Sequence, residues 1–157
     1  MVVDALCPEH EDGLQLCVRR FSELSVSELY DILKLRVKVF IVEQQCPYLE
    51  TDDLDREAVH VFLHDDGNIL AYLRVMDRGV ESEYVSIGRV VTGKRGCGLG
   101  KRIIAEGIRV AEECFGADRI YVEAQTYVRG FYERFGFKQT SEEFHIDGIP
   151  HIKMIRG

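Results

Sequence analysis

Apolar positions repeat along the chain with two different periods. Val26, Leu29, Leu33, Val37 and Phe40 recur at the spacing of one helix face, and Ser25 with Glu28 forms a capping-box pair, so a helix is predicted from about 25 to 39. Residues 14 to 21 (LQLCVRRF) before it are predicted as a first strand. From Val59 the runs shorten: VHVFLH, the turn Asp65-Asp66-Gly67-Asn68 and ILAYLRV read as a hairpin. A further strand, YVSIGRVV, ends at Val91. Glycines and basic residues then lead into a helix from about 98 to 115, whose stripe Ile104, Ile108, Ala111 and Phe115 suits packing on a sheet. IYVEAQ is predicted as a strand, and TYVRGFYERF as a helix closed by Gly136 in a left-handed cap. From about residue 137 the tail carries Asp147-Gly148 between two apolar runs, the pattern of a last hairpin.

The predicted order is strand, helix, three strands, helix, strand, helix, two strands. Strand, helix, strand around residues 84 to 125 implies a right-handed parallel crossover, and the hairpins imply antiparallel neighbours. The product is an α/β fold with a mixed sheet and helices on its faces. With 157 residues, no internal repeat and no linker-like interior, the chain is expected to be one domain, 1–157, with 1–13 a loose N-terminal segment. The polar stretch VEQQCPYLETDDLDRE after the first helix is too acidic for a core element and long enough to fold over something.

Composition narrows the class. At 46% hydrophobic and 30% charged, with three prolines, the chain is globular in character. No apolar run approaches the roughly 20 residues that span a bilayer. Residues 1–12 hold four acids and no Lys or Arg, unlike a secretory signal, so a cytoplasmic location without membrane contact is expected. Five scattered cysteines without a C-x-x-C pair argue against a disulfide framework and a metal site. The net charge of -7 disfavours nucleic acid as a partner. Against that background Lys94, Arg95, Lys101 and Arg102 place four positive charges within nine residues that also hold Gly96, Gly98 and Gly100. Such a cluster at a helix start points to a local anion site, because unpaired N–H groups and the positive dipole end meet there.

Three anion-binding patterns compete for VVTGKRGCGLGKR. The dinucleotide fingerprint G-x-G-x-x-G fails, because Lys101 stands where its last glycine is needed. The P-loop fails at Arg95 and Arg102, where glycine and Ser or Thr are required. Arg95-Gly96-Cys97-Gly98-Leu99-Gly100 resembles the R/Q-x-x-G-x-G/A signature of the GNAT acetyltransferase superfamily. RIYVEAQTYVRGFYERFGF resembles the region that completes the cofactor site in that superfamily, and LRVKVFIVEQQCPYLETDDLD and DGIPHIKM are similar to its ElaA-like branch, so the resemblance runs from about residue 21 to the end.

The resemblance implies a GNAT-type, mostly antiparallel sheet of six to seven strands flanked by helices, with a parallel splayed pair at the cofactor site. It implies acetyl-CoA as donor, with Val90, Val91, Arg95, Gly96, Cys97, Gly98, Leu99, Gly100, Lys101, Gln125 and Tyr132 at the coenzyme. Gln125 stands where many members place Asn near the pantetheine arm; it has the same donor and acceptor groups on a longer side chain. Tyr132 would protonate the leaving thiolate, since a phenol of reference pKa about 10 keeps its proton where a thiol of about 8.5 begins to ionise. The Val91 N–H would stabilise the oxyanion as an amine attacks the thioester directly in a ternary complex.

The acceptor amine must lose a proton, and Glu43, Asp52, Asp55, Glu123 and His60 are candidate bases. Of these, Glu43 is taken as the catalytic candidate, with Glu43, Asp52, His60 and His151 on the acceptor side. The expected partner is a small-molecule or peptide amine, and the chain a monomer or homodimer. The same residues leave open a noncatalytic acyl-CoA-binding module, or a partner-binding α/β domain whose glycines only cap a helix.

Overall fold

The computed structural model describes residues 13–93 and 96–157. It holds eight strands: β1 Gln15–Arg20, β2 Val59–Asp65, β3 Asn68–Met76, β4 Val85–Thr92, β5 Ile120–Gln125, β6 Phe137–Gln139, β7 Phe144–Ile146 and β8 Ile149–Arg156. They form one sheet in the order β1-β2-β3-β4-β5-β8-β6, with β7 also paired to β8. Every pairing is antiparallel except β4 with β5. This is the mixed α/β arrangement read from the sequence, with one correction to the expected six to seven strands. The additional strand is β6, whose three residues are too few to show alternation; pairing with the end of β8 makes it a strand.

Local chemistry explains the turns. Asp66 and Gly67 between β2 and β3, and Asp147 and Gly148 between β7 and β8, all have positive φ. Two successive left-handed residues make the tight hairpin whose twist matches that of the strands, and Asp-Gly supplies them with little strain.

Helix α1, Val26–Arg36, starts on the expected capping box: Glu28 N–H donates to Ser25 Oγ at 3.0 Å and Ser25 N–H donates to Glu28 Oε1 at 2.8 Å. The predicted end at 39 is overrun, because the chain continues as a wider π-wound segment over Val37–Glu43. Helix α2, Leu99–Phe115, matches the sequence reading and ends on Gly116 in the left-handed region. The last predicted helix is shorter than expected. A 3-10 turn at Thr126–Val128 leads into α3, Arg129–Glu133, since β-branched residues and Gly130 weaken regular helix there.

The sheet carries a core on each face. Val61, Leu63, Leu73, Val75 and Ile87 pack with Ile103, Ile104 and Ile108 of α2. Phe62, Tyr72 and Val91 pack with Ile32 and Leu35 of α1 on the other face. Contact with α2 is closest at Gly107, where an added Cβ would lie 2.7 Å from Leu73 Cδ2. Gly107→Val is therefore expected to overpack the core and destabilise by about 1–3 kcal/mol, read as a lowered denaturant midpoint with an unchanged slope.

Two backbone irregularities set up the site. Strands β4 and β5 pair only at Val85 with Ile120 and Ser86 with Tyr121, and separate beyond that point. Strand β4 also slips its register against β3, so that Tyr72 faces Val91 and Arg74 faces Gly88, with Arg89 at a φ of 53° in the bulge. The wedge left between β4 and β5 is bounded by the start of α2, by α3 and by the segment after α1.

Candidate active site

A cavity of about 540 Å³ fills this wedge. Gly88 to Thr92 of β4 form one wall and Glu123 to Gln125 of β5 the other. Phe40, Gln44, Cys46 and Tyr48 close it from the α1 side, and Asp147 and His151 stand at the β7–β8 hairpin. Cys46 Sγ donates to the Asp147 carbonyl at 3.3 Å and Gln125 Nε2 donates to Gln44 Oε1 at 3.4 Å, so polar contacts tie these margins together.

The glycine-rich turn opens onto this space at Gly100, the second residue of α2. Gly96 and Gly98 have φ of 78° and 72°, a region that side chains with Cβ rarely adopt, and a Cβ built on either would meet nothing within 4 Å. Gly98 is the N-cap of α2 and has no side chain to accept from the first-turn N–H groups. Gly96, Cys97, Gly98 and Lys101 are exposed, while Leu99 is buried and anchors the turn in the core. A glycine turn at the positive end of a 17-residue helix fits a diphosphate group. Arg95, expected beside that group, lies outside the described residues, as do Lys94 and the N-terminal segment through residue 12.

Tyr132 enters the cavity from α3 and is 7% exposed, with its ring edge-on to Phe131 and to Phe137 at centroid distances of 5.3 and 5.7 Å. Burial, with a smaller contribution from Tyr127, pushes its phenol well above the ordinary value, so the hydroxyl keeps its proton across the neutral range. Val90, Val91 and Gln125 also line the cavity.

The acceptor-side residues read from the sequence divide. His151 and Glu123 line the cavity, and the His151 ring lies with Nδ1 2.7 Å from the Ile149 carbonyl. His60, Asp52 and Glu43 do not line it. His60 is 0% exposed, with Nδ1 2.7 Å from the Tyr72 hydroxyl and Nε2 2.8 Å from the Asp55 carbonyl, and burial lowers its pKa. The expected place of His60 on the acceptor side is therefore corrected: β2 is buried on both faces from Val59 to Leu63, beneath the segment that follows α1. Asp52 is held by Arg74 at 2.6 Å and by Arg89 at 3.3 Å, and its pKa falls to about 2, burial opposing and the two guanidiniums outweighing it. Asp55 joins Arg36 and Arg74. Glu43 is exposed at the end of the π-wound segment.

Several residues at or behind the site were not singled out from the sequence. Arg36 is 0% exposed and grips Glu50 and Asp55, while Arg89 bonds Glu50 and lies over the Tyr48 ring at 5.9 Å. Together with Arg74 and Asp52 these charges fasten the polar segment to the sheet. Its excess of acids, with one arginine on the first helix and two on strands, was the available signal, but pairing across 14 to 39 residues has no periodicity to reveal it. Glu81 and Tyr121 were also missed.

A helix that begins on a glycine turn, set against a parallel strand pair that separates in front of it, gives the wedge the layout of a site for an anionic ligand. The chain belongs to the GNAT acetyltransferase family, whose domain it matches over residues 25–156. Protein ElaA of Escherichia coli K12 is 37% identical over 139 residues, covering 86% of this chain and 91% of ElaA. The crystal structure of E. coli ElaA superposes with a TM-score of 0.86 at 34% identity, over 92% of this chain and 99% of that one. An acyl-CoA N-acyltransferase from Pseudomonas aeruginosa gives the same TM-score at 37% identity, over 91% and 99% of the two chains. The chain is thus an ElaA-like acyltransferase with an acyl-CoA donor. Among the described residues no helix is long and apolar enough to cross a membrane.

Proposed function

We propose that this protein transfers an acetyl group from acetyl-CoA to an amine by direct attack in a ternary complex. The observation that carries the reading is the divergence of β4 from β5 directly in front of the glycine-rich start of α2. Unpaired strand edges hydrogen-bond an amide-containing arm, and the helix start receives a diphosphate, which together are the chemical parts of coenzyme A. The backbone of Val91, a residue of the cavity wall, is assigned to the oxyanion and Tyr132 to the departing sulfur. A wedge of this size seats a thioester beside a small amine, and holding both reactants in register supplies much of the acceleration.

Acetyl-CoA with an amine panel is expected to release coenzyme A thiol in a colorimetric assay. Coenzyme A at 100 times its dissociation constant is expected to stabilise the fold by about 2.7 kcal/mol, seen as a raised Tm. No heat of binding and no thermal shift at millimolar coenzyme A would sink the reading.

A further inference from the structure

The acceptor end of the cavity has a charge pattern that the donor site does not explain. Glu81, Glu123 and Asp147 line the cavity, whereas Arg89 is the sole Lys or Arg on its wall among the described residues, and it is committed to Glu50 and Asp52. Ser86 of β4 faces Tyr121 of β5 in the last rung of the parallel pair, and alternation puts Gly88 and Glu123 on that same face. Glu81 reaches this face from the connection between β3 and β4. A Cβ on Gly88 would lie 3.9 Å from Glu81 Oε2 and 3.9 Å from Arg74 Nε. Arg74 is 1% exposed, yet its Nε has no hydrogen-bond partner. Buried polar atoms are normally satisfied, so an unpaired one beside a glycine on a cavity wall marks a place where a polar ligand or its water is expected.

We propose that Glu81 and Glu123 receive the ammonium group of a small aliphatic primary amine, and that Glu81 is the base that takes its proton. The assignment rests on the acetyl-transfer reading above and adds the acceptor class to it. Glu123 already accepts the Tyr121 hydroxyl at 2.7 Å. Glu81 is exposed overall but its carboxylate stands at the cavity wall beside Gly88, with no side chain of that glycine between it and the acceptor space. Desolvation there, and then the charge of Glu123, raise its pKa, with Arg74, Arg89 and a hydrogen bond from Ser86 opposing.

The step balances. One N–H bond of the ammonium breaks and its proton moves to the Glu81 carboxylate. The freed pair on nitrogen forms the bond to the thioester carbonyl carbon, and the carbon–sulfur bond breaks with its pair on sulfur. The second amine proton ends on that sulfur by way of the Tyr132 hydroxyl, and the first leaves Glu81 for solvent. An amine bearing a carboxylate meets the acidic wall and is disfavoured by the same charges.

The test uses the full chain, with calorimetry of coenzyme A and thiol release from acetyl-CoA, and with n-butylamine and 1,4-diaminobutane as cationic probes against glycine and glutamate. Glu81→Gln is expected to lower kcat/KM for n-butylamine by about 100-fold or more while coenzyme A binding and Tm stay unchanged. Glu123→Gln is expected to move the acid limb of the pH profile to lower pH, because Glu81 loses its like-charged neighbour; a merely structural Glu123 would leave that limb in place. Coenzyme A binding with undiminished turnover in Glu81→Gln overturns the inference and spares the parent reading. So does a wild-type preference for glutamate or glycine over both cationic probes, or no turnover of either cationic probe. Absence of coenzyme A binding in the wild type overturns both.

Discussion

Arg36→Met is expected to lower the unfolding free energy by about 3 kcal/mol, the low end of the range for removing one partner from a buried ion pair. Tm should fall by roughly 10 °C for a chain of this length. Arg36 is wholly buried and donates to both carboxylate oxygens of Glu50 and to both of Asp55. Burial works against its charge, but these carboxylates more than offset it, so its pKa rises further above the ordinary value. Without the guanidinium, Glu50 keeps Arg89 and Asp55 keeps Arg74, which holds the loss near the low end. Adding Glu50→Gln to Arg36→Met should recover part of the stability, since the buried Glu50 is left with one cation in place of two; no recovery would show that packing of the arginine stem dominates. The network also has a predictable acid limit. The Asp52 pKa is depressed to about 2, so its contribution is fully present above the unfolded value of about 3.9 and is lost as pH falls through the folded one. Acid unfolding of the wild type should therefore steepen in that window, and Arg74→Met, which removes the main partner of Asp52, should move the onset to higher pH.

The same network shows what the sequence makes legible. The strands other than β6, α2 and both Asp-Gly hairpins were readable because each is dictated by neighbours in the chain: alternation, a 3.6-residue stripe, two residues that tolerate positive φ. The glycine turn was readable for a related reason, since Gly96, Gly98 and Gly100 act through backbone geometry that neighbouring residues define. Arg36 had no such local signature. It occupies the last position of an amphipathic helix, where a basic residue suits the dipole, and only the fold reveals that it points inward to meet Glu50 and Asp55. His60 misled for the converse reason: a titratable side chain beside the polar segment was a candidate for the acceptor side, whereas the segment Leu54–Glu57 covers it and satisfies the ring from its own backbone. Glu81 lies in an acidic turn that reads as solvated surface, and the bulge at Arg89 has no sequence marker, because the left-handed residue there is not glycine or asparagine. The layout of the glycine turn was thus visible in the chain, and the carboxylates of the proposed acceptor wall meet only where segments distant in sequence are brought together.

Tyr132→Phe is expected to lower kcat by about 100-fold or more while leaving the coenzyme A dissociation constant unchanged. The ring is clamped edge-on between Phe131 and Phe137, so loss of the hydroxyl leaves its packing intact and the variant should fold as the wild type does. Two pictures of the hydroxyl differ in their pH dependence. A phenol of ordinary pKa would begin to ionise near pH 10 and impose an alkaline limb on turnover. Burial raises the pKa of this one, which keeps the hydroxyl a donor throughout the working range, stabilising the departing thiolate first as a hydrogen bond and handing over a proton only as the amine supplies its own. The alkaline limb should accordingly be absent up to about pH 10 in the wild type. Its acid limb, which belongs to the base, should persist in Tyr132→Phe at the same midpoint. Equal turnover by the phenylalanine variant would remove the donor role from Tyr132. A shifted acid limb would mean instead that this hydroxyl and the acceptor-side carboxylates titrate as one coupled group, although α3 carries the hydroxyl and β5 and the β3–β4 connection carry the carboxylates.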